Sequence, residues 1–191
     1  KALDALEKLE TLEAAVHSIK EFADRHLPDA KLLQLDADDE FPEEIVRRMC
    51  SDELGVQLFF VSEAYGGMGG GSFDVYRICE QMARIDVGVA TGVLATFLGS
   101  EPIDVGGTPE QKERWLGRIA SEGILFAYAA TEPAAGSDLA SLRTVAERVV
   151  EGGEIKGYRI TGNKQWISNG GVADAYTVLA CVAFDRSGPG M

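Results

Sequence analysis

Two polar segments, which begin about thirty residues apart, carry the groups best suited to chemistry. Residues 128–138 read YAATEPAAGSD, and residues 162–171 read GNKQWISNGG. Their side chains supply an aromatic plane and three hydroxyls: Trp166, Thr131, Ser168 and Ser137. Each segment begins where a strand pattern ends, and such positions hold binding groups on a rigid support. Together with the backbone N–H groups of the turns, this set predicts a site for a flat, polar heterocycle with an anionic tail.

Two carboxylates of the first segment are not predicted to take part in catalysis. Glu132 precedes Pro133 at the end of a predicted strand, so a structural carboxylate held by a nearby donor is the simpler interpretation. Asp138 follows a Gly-Ser pair and is typical of a polar turn. We therefore assign no catalytic base within either segment.

Composition and charge exclude several classes of function. The net charge of −13 argues against a nucleic-acid partner, because that affinity depends on Lys and Arg neutralising phosphates. No apolar run is long enough to span a bilayer. The three cysteines are far apart and indicate free thiols in a reducing compartment. The only histidines are His17 and His26, which argues against a histidine-based triad and predicts no metal site.

The first two thirds of the chain have the periodicity of helices. Residues 2–26 place apolar side chains at steps of three and four, which predicts one long amphipathic helix that Pro28 ends. The residues of this stripe are Leu3, Leu6, Leu9, Leu12, Val16, Ile19 and Phe22. Residues 36–40 are acidic and predict a solvated loop. Pro42 then opens a second helix, which Gly55 ends; its inward-facing residues are Ile45, Val46, Met49 and Leu54.

Three more helices are predicted before the pattern changes. One runs from Ser72 to Ile85, and the almost wholly apolar residues 88–98 predict a buried helix. Thr108 begins a capping box with proline at the first turn, which starts a last helix through Ala120. The glycine-rich residues 63–71 lie between the second and third predicted helices. They lack the Gly-Lys-Ser/Thr of a phosphate loop, so a tight connection with positive φ is the preferred interpretation.

Strand patterns follow the helices. Residues 124–130, 144–150, 158–161 and 176–184 predict strands, and residues 151–154 predict a hairpin turn. The fold class is therefore α+β, with an all-helical N-terminal domain at residues 1–122. Residues 123–191 are predicted to form an antiparallel β-barrel or sandwich domain.

Both polar segments resemble the signatures of the acyl-CoA dehydrogenase family of flavoproteins. The shared stretches are Thr-Glu-Pro-Ala-Ala-Gly-Ser-Asp and Gly-Asn-Lys-Gln-Trp-Ile-Ser-Asn-Gly, in the family's order and spacing. The resemblance implies a helical N-terminal domain, a β-barrel middle domain and a helical C-terminal bundle that holds the catalytic glutamate. This chain matches only the first domain and part of the second. We therefore expect a piece of a longer protein and no catalytic residue in this chain.

The resemblance also implies FAD as cofactor and assigns roles to individual residues. Thr131, with the backbone around Ala130, matches the contact to the flavin pyrimidine edge. Ser168 matches the position that reaches flavin N5. Trp166 alone would more often be a core residue, but within its signature it matches the aromatic beside the ring. The remaining cofactor-binding residues are Tyr128, Ala129, Ile167 and Ser137, of which Ser137 also matches a substrate contact.

The activity implied is α,β-desaturation of an acyl-CoA thioester, with electrons passed to an electron-transfer flavoprotein. A homodimer or homotetramer in the cytoplasm, or in the mitochondrial matrix of a eukaryote, accompanies this activity in the family. Two alternatives stay open. One is a sibling chemistry on the same scaffold, an acyl-CoA oxidase or a flavin monooxygenase. The other is a non-catalytic scaffold protein, which the retention of both cofactor signatures argues against.

Overall fold

The computed structural model describes residues 2–182, and side chains from residue 6 onwards. Within this range, six α-helices precede five β-strands. The helices are α1 (Ala2–His26), α2 (Asp29–Ala37), α3 (Glu43–Met49), α4 (Ser72–Ile85), α5 (Val87–Gly106) and α6 (Pro109–Glu122). The strands are β1 (Phe126–Ala129), β2 (Val145–Glu151), β3 (Glu154–Thr161), β4 (Ala175–Val178) and β5 (Cys181–Val182). Within residues 2–182, no helix is both long and apolar enough to cross a bilayer.

The predicted ends of two helices and the predicted start of a third agree with the structure, whereas α6 ends at Glu122, two residues later than predicted. α1 and α4 have the expected ends, and α6 begins at Pro109 as its capping box requires. In that box Gln111 N donates to the Thr108 hydroxyl, and Thr108 N donates to the Gln111 side-chain oxygen. The stripe of α1 is buried only in its C-terminal half, because Leu6 and Leu9 are exposed whereas Leu12 is buried. The Leu3 side chain lies outside the described part of the chain.

The region between α1 and α4 differs from the prediction. α1 ends before Pro28 as expected, but Pro28 also forms the N-cap of α2, whose last two residues, Asp36 and Ala37, fall in the predicted acidic loop. α2 buries no side chain fully, because its sequence carries no strong apolar stripe. α3 ends at Met49, earlier than predicted, and Leu54 therefore packs from a turn rather than from the helix.

α5 is the central helix, and it is longer than the predicted buried stretch. Asp86 caps it by accepting a hydrogen bond from Val89 N at 2.7 Å. The helix packs against α3, α4, α6 and β1. Gly99 allows β1 to approach closely, since a Cβ there would lie 2.8 Å from the Phe126 Cβ. Phe126 N also donates to the Thr96 hydroxyl at 3.2 Å. α5 thus supports the strand that ends at the first polar segment.

The strands form two small sheets, one parallel and one mixed, and the predicted antiparallel barrel is not seen among residues 2–182. β1 pairs with β4 in parallel, with Phe126 opposite Ala175. β2 pairs with β3 in antiparallel orientation and with β5 in parallel. Strand periodicity specifies which face is buried but not the partner, and a long connection is what allows parallel pairing. The predicted strand 176–184 is two strands, β4 and β5, and residues 183 and 184 lie outside the described range.

Two predicted turns are confirmed. Gly152 and Gly153 connect β2 to β3 with φ of 61° and 84°, the left-handed values that a two-residue hairpin turn requires. The glycine-rich loop has positive φ at Gly66 and Gly69. Its N–H groups are used internally: those of residues 67, 68, 69 and 70 donate to the carbonyls of residues 62, 58, 61 and 59, respectively. Because these donors are occupied, the loop offers no phosphate cradle.

Candidate functional site

The first polar segment leaves β1 and folds back in a tight turn. Glu132 N donates to Ala135 O at 2.8 Å, and Ala135 N donates to Glu132 O at 3.2 Å. Thr131, immediately before the turn, is half-buried, whereas Ser137, just after it, is exposed. Of the other predicted residues in this region, Ala129 is buried, and Tyr128 and Ala130 are half-buried. The predicted groups on this segment therefore lie at the end of one supported strand.

The second polar segment lies directly against the first, as a shared site requires. Gln165 N donates to Thr131 O at 3.0 Å. The Lys164 ammonium donates to Ala130 O at 2.8 Å. These two contacts place the backbone next to Trp166 beside the backbone of Thr131. The structure thus brings together the two segments that the sequence separates by about thirty residues.

Glu132 is buried at the junction of the two segments, and three groups donate hydrogen bonds to its carboxylate. Its carboxylate accepts from Arg143 N at 2.7 Å, from Thr144 N at 2.9 Å and from the Lys164 ammonium at 2.9 Å. The Thr144 hydroxyl, the Arg143 N–H and the Lys164 ammonium lower the pKa of Glu132 to about 2. A carboxylate in this state is a poor base. The prediction that a nearby donor fixes Glu132 is confirmed, although the sequence did not identify the three donors, Arg143 N, Thr144 N and the Lys164 ammonium.

The low pKa of Glu132 predicts a pH dependence of stability. The ionised carboxylate stabilises the fold fully above its ordinary pKa of 4.5, and this contribution declines as the pH falls toward about 2. We expect the urea midpoint of the protein to fall between pH 6 and pH 3 by more than that of Glu132→Gln. Glu113→Gln, which changes an exposed glutamate of α6, serves as the control and should follow the unmodified protein. Parallel pH profiles for Glu132→Gln and the unmodified protein would contradict the assignment.

Trp166 is presented to solvent rather than packed in the core. Its side chain is 84% exposed, and its φ of 59° lies in the left-handed region. A non-glycine residue in this region is uncommon and is held there by the surrounding contacts. The neighbouring hydrogen bond from Gln165 to Thr131 supplies such a contact. An exposed indole on a fixed backbone can form the wall of a binding site for a planar ring.

Ser168 opens onto a hollow between the second segment and the helices. The hollow has a volume of about 380 Å³. The residues that line it include Phe41, Thr91, Gly92, Ile167, Ser168 and Asn169. Ser168 is exposed and Ile167 is half-buried, so Ser168 lies at the open side of this hollow.

Asn169 anchors the second segment and was not identified as important from the sequence. It is 4% exposed, and its amide nitrogen donates to Gly92 O at 2.9 Å and to Phe126 O at 3.1 Å. Its φ of 62° is one that Asn adopts more readily than most residues. An Asn before two glycines, in a segment without helix or strand pattern, was the available signal. Through Asn169 the turn that carries Ser168 is joined to α5 and β1.

A second anchor joins the residues after the turn to the helical region. The Arg47 guanidinium of α3 donates to Asp174 at 2.9 Å and to Val172 O at 2.6 Å. Asp174 in turn accepts from Leu125 N at 2.9 Å, just before β1. Arg47 therefore fixes the segment between the second turn and β4 against the start of β1. The site consequently rests on helices as well as strands.

Comparison with known proteins agrees with this arrangement. The model of the acyl-CoA dehydrogenase N-terminal domain matches residues 10–123, and that of the middle domain matches residues 127–190. The chain therefore belongs to the acyl-CoA dehydrogenase family, which confirms the resemblance of the two signatures. Together these matches cover most of the chain.

Individual relatives support the same assignment. A probable medium-chain specific acyl-CoA dehydrogenase of Caenorhabditis briggsae is 37% identical over 147 residues, which are 77% of this chain and 34% of that protein. Butyryl-CoA dehydrogenase from Megasphaera elsdenii superposes with a TM-score of 0.78 at 31% identity, over 88% of this chain and 43% of that one. An acyl-CoA dehydrogenase from Bacillus anthracis, complexed with FAD, gives 0.75 at 31% identity, over 90% and 29%. The chain thus spans less than half of these relatives.

Proposed function

We propose that the protein is an FAD-dependent acyl-CoA dehydrogenase that desaturates an acyl-CoA thioester between Cα and Cβ. The observation that carries this proposal is the junction at the end of β1, where Gln165 N binds Thr131 O and leaves the Trp166 indole exposed. An aromatic plane beside a polar strand end fits the edge of a flavin. The family relative from Bacillus anthracis is described as complexed with FAD.

The residues of the two segments would divide the binding of FAD between them. Thr131 and the backbone of Ala130 would face the polar pyrimidine end, where charge builds up on reduction and where donors stabilise it. Trp166 and Ile167 would form the wall beside the ring, and Ser168 would donate near N5. Tyr128 and Ala129 would contribute from the end of β1, the strand that leads to Thr131. Ser137 would contact the pyrophosphate or the acyl-CoA.

When bound, FAD would supply the oxidant that accepts a hydride from the β-carbon of the substrate. The α-proton requires a carboxylate base, and Glu132 is unsuited because its charge is already held by Arg143, Thr144 and Lys164. We assign no base within this chain and propose one from a C-terminal helical bundle of the kind found in the family. Electrons would pass to an electron-transfer flavoprotein. The helical domain would comprise residues 1–122, and the middle domain would comprise residues 123–191.

Replacing Trp166 with alanine tests the proposal. Because the side chain is 84% exposed, the free energy of unfolding should change by only about 0.5 kcal/mol or less. The dissociation constant for FAD should rise by about tenfold or more, the equivalent of ~1.4 kcal/mol, as the wall beside the ring is lost. Both quantities are measurable, by urea unfolding and by titration of the flavin absorbance.

Trp115 supplies the matched control for this substitution. It is a half-buried indole of α6 that packs edge-on against Phe126 at 5.9 Å. Trp115→Ala should destabilise the fold, and the affinity of the remaining folded protein for FAD should be retained. Unchanged FAD affinity in Trp166→Ala would remove that residue from the site, and a protein that binds no flavin at all would overturn the proposed function.

A further inference from the structure

We propose that the Lys164–Glu132 pair is a charge-balanced brace that positions the flavin-facing turns and sets the reduction potential of the bound flavin. This inference rests on the proposed function and adds to it a pair of positioning residues that do not touch the substrate. The pair lies between the two polar segments. Its effect on the flavin would come from charge as well as from geometry.

The contacts of Lys164 enclose Thr131 on both sides. The ammonium donates to Ala130 O at 2.8 Å and to the Glu132 carboxylate at 2.9 Å. These acceptors belong to the residues immediately before and after Thr131. The next residue, Gln165, donates to Thr131 O itself. Consecutive residues of the second segment thus hold three consecutive residues of the first, and the positions of Thr131 and Trp166 are set relative to each other.

Because the pair is buried, its charges are less screened than those of an exposed ion pair. The Lys164 and Glu132 side chains are 12% and 4% exposed, which makes this pair more buried than the exposed ion pair Lys156–Glu154. Charges removed from water interact more strongly with their surroundings than charges at the surface, where water and salt screen them. In the intact pair the two charges nearly cancel. Loss of one partner leaves the other as a net charge beside the predicted flavin contacts.

The sign of that net charge determines the effect on the flavin. Reduction builds negative charge at the pyrimidine end, so a lone ammonium stabilises the reduced form and a lone carboxylate destabilises it. Glu132→Gln should therefore raise the reduction potential of the bound flavin, and Lys164→Met should lower it. A brace with a purely mechanical role loses the same contact in both variants, which gives shifts of the same sign or none.

The test is the reduction potential of FAD in the flavin-loaded protein, measured by spectroelectrochemical titration. We expect opposite shifts for the two single variants and a potential close to the unmodified value for the double variant E132Q/K164M. Lys164→Gln removes the charge but retains a donor, so it provides a folded variant if Lys164→Met fails to fold, and it should also lower the potential. The control substitutions Glu154→Gln and Lys156→Met, in the exposed pair of β3, should leave the potential unchanged.

The outcomes separate this inference from the proposed function. One outcome is that the unmodified protein binds FAD, but the two single variants shift its reduction potential in the same direction or not at all. This result would overturn the electrostatic role of the pair and leave the oxidoreductase assignment intact. An unmodified protein without affinity for FAD would overturn the proposed function itself. A second readout, the dissociation constant for FAD, should rise in both single variants if the brace positions the turns.

Discussion

Asn169→Ala is expected to lower the free energy of unfolding by about 3 kcal/mol and to weaken FAD binding with it. The substitution removes both hydrogen bonds of the buried amide, so the carbonyls of Gly92 and Phe126 lose the donor that joins the second segment to α5 and β1. Each lost hydrogen bond contributes about 0.5–1.5 kcal/mol, and an alanine in the left-handed region costs about 1 kcal/mol more. Urea unfolding followed by circular dichroism measures the first effect, and flavin titration measures the second.

Two further variants isolate the cause of that loss. Asn163→Ala changes an exposed asparagine of the same segment and should alter stability by about 0.5 kcal/mol or less. Asn169→Gly adopts the φ of 62° without strain, so it removes only the amide bonds. We expect it to be destabilised by about 1 kcal/mol less than Asn169→Ala, which also bears the cost of a left-handed alanine. If Asn169→Gly were as stable as the unmodified protein, backbone conformation rather than hydrogen bonding would explain the role of Asn169.

Gly123→Ala is expected to destabilise the protein by about 3–5 kcal/mol. Gly123 ends α6 with φ of 64°, and a Cβ at this position would lie 1.9 Å from the Cys50 carbonyl oxygen. Cys50 is fully buried at the end of α3, so its backbone can yield little. The clash would separate α6 from α3 and disturb the start of β1. The measurement is the urea midpoint at constant slope.

Gly152→Ala provides the matched control, because φ at Gly152 is 61° and a Cβ there meets no atom within 4 Å. This variant bears only the cost of a left-handed alanine, about 1 kcal/mol. The difference between the two variants measures the close approach of α6 to Cys50. Equal destabilisation by both substitutions would show that backbone conformation alone makes Gly123 necessary.

Local signals in the sequence were sufficient for the well-capped helices. Thr108, Pro109 and Gln111 specify the start of α6 because each satisfies a group that a helix N-terminus leaves open. α4 has a strong apolar stripe and ends beside Asp86, so its bounds were also predicted. α2 was missed because Leu32 and Leu35 are only partly buried and its last residues are acidic. A helix held by so little apolar burial has a weak periodic signal.

Partners in the sheets could not be predicted, because they depend on the helices beneath them. β1 lies on α5, where Gly99 leaves room for Phe126, and β4 is held there by the Thr177 hydroxyl, which donates to Gly99 O at 2.5 Å. Nothing in the alternation of β4 indicates that its neighbour is β1 rather than β2. The parallel pairing therefore depends on tertiary contacts, among them those of both strands to Gly99 of α5.

The site was predicted in part. The juxtaposition of Thr131 with the residues around Trp166 is observed, and the roles assigned to these residues stay predictions. The groups that hold the site together were missed. Lys164 and Asn169 act through buried contacts to residues 130, 132, 92 and 126, which are distant in sequence. A lysine beside a polar turn is ordinarily a solvated residue, so only the fold shows that this one is enclosed.

The pairing of β1 with β4 bears on the order of events during synthesis. Leu125 N is held by Asp174, 49 residues later, and β1 has its neighbour only after that distance. On the ribosome, the residues of β2 and β3 emerge before those of β4, so β1 is synthesised well before its strand partner. Contacts across such a separation are slow to form. The two polar segments would thus be among the last parts of this region to acquire their final arrangement.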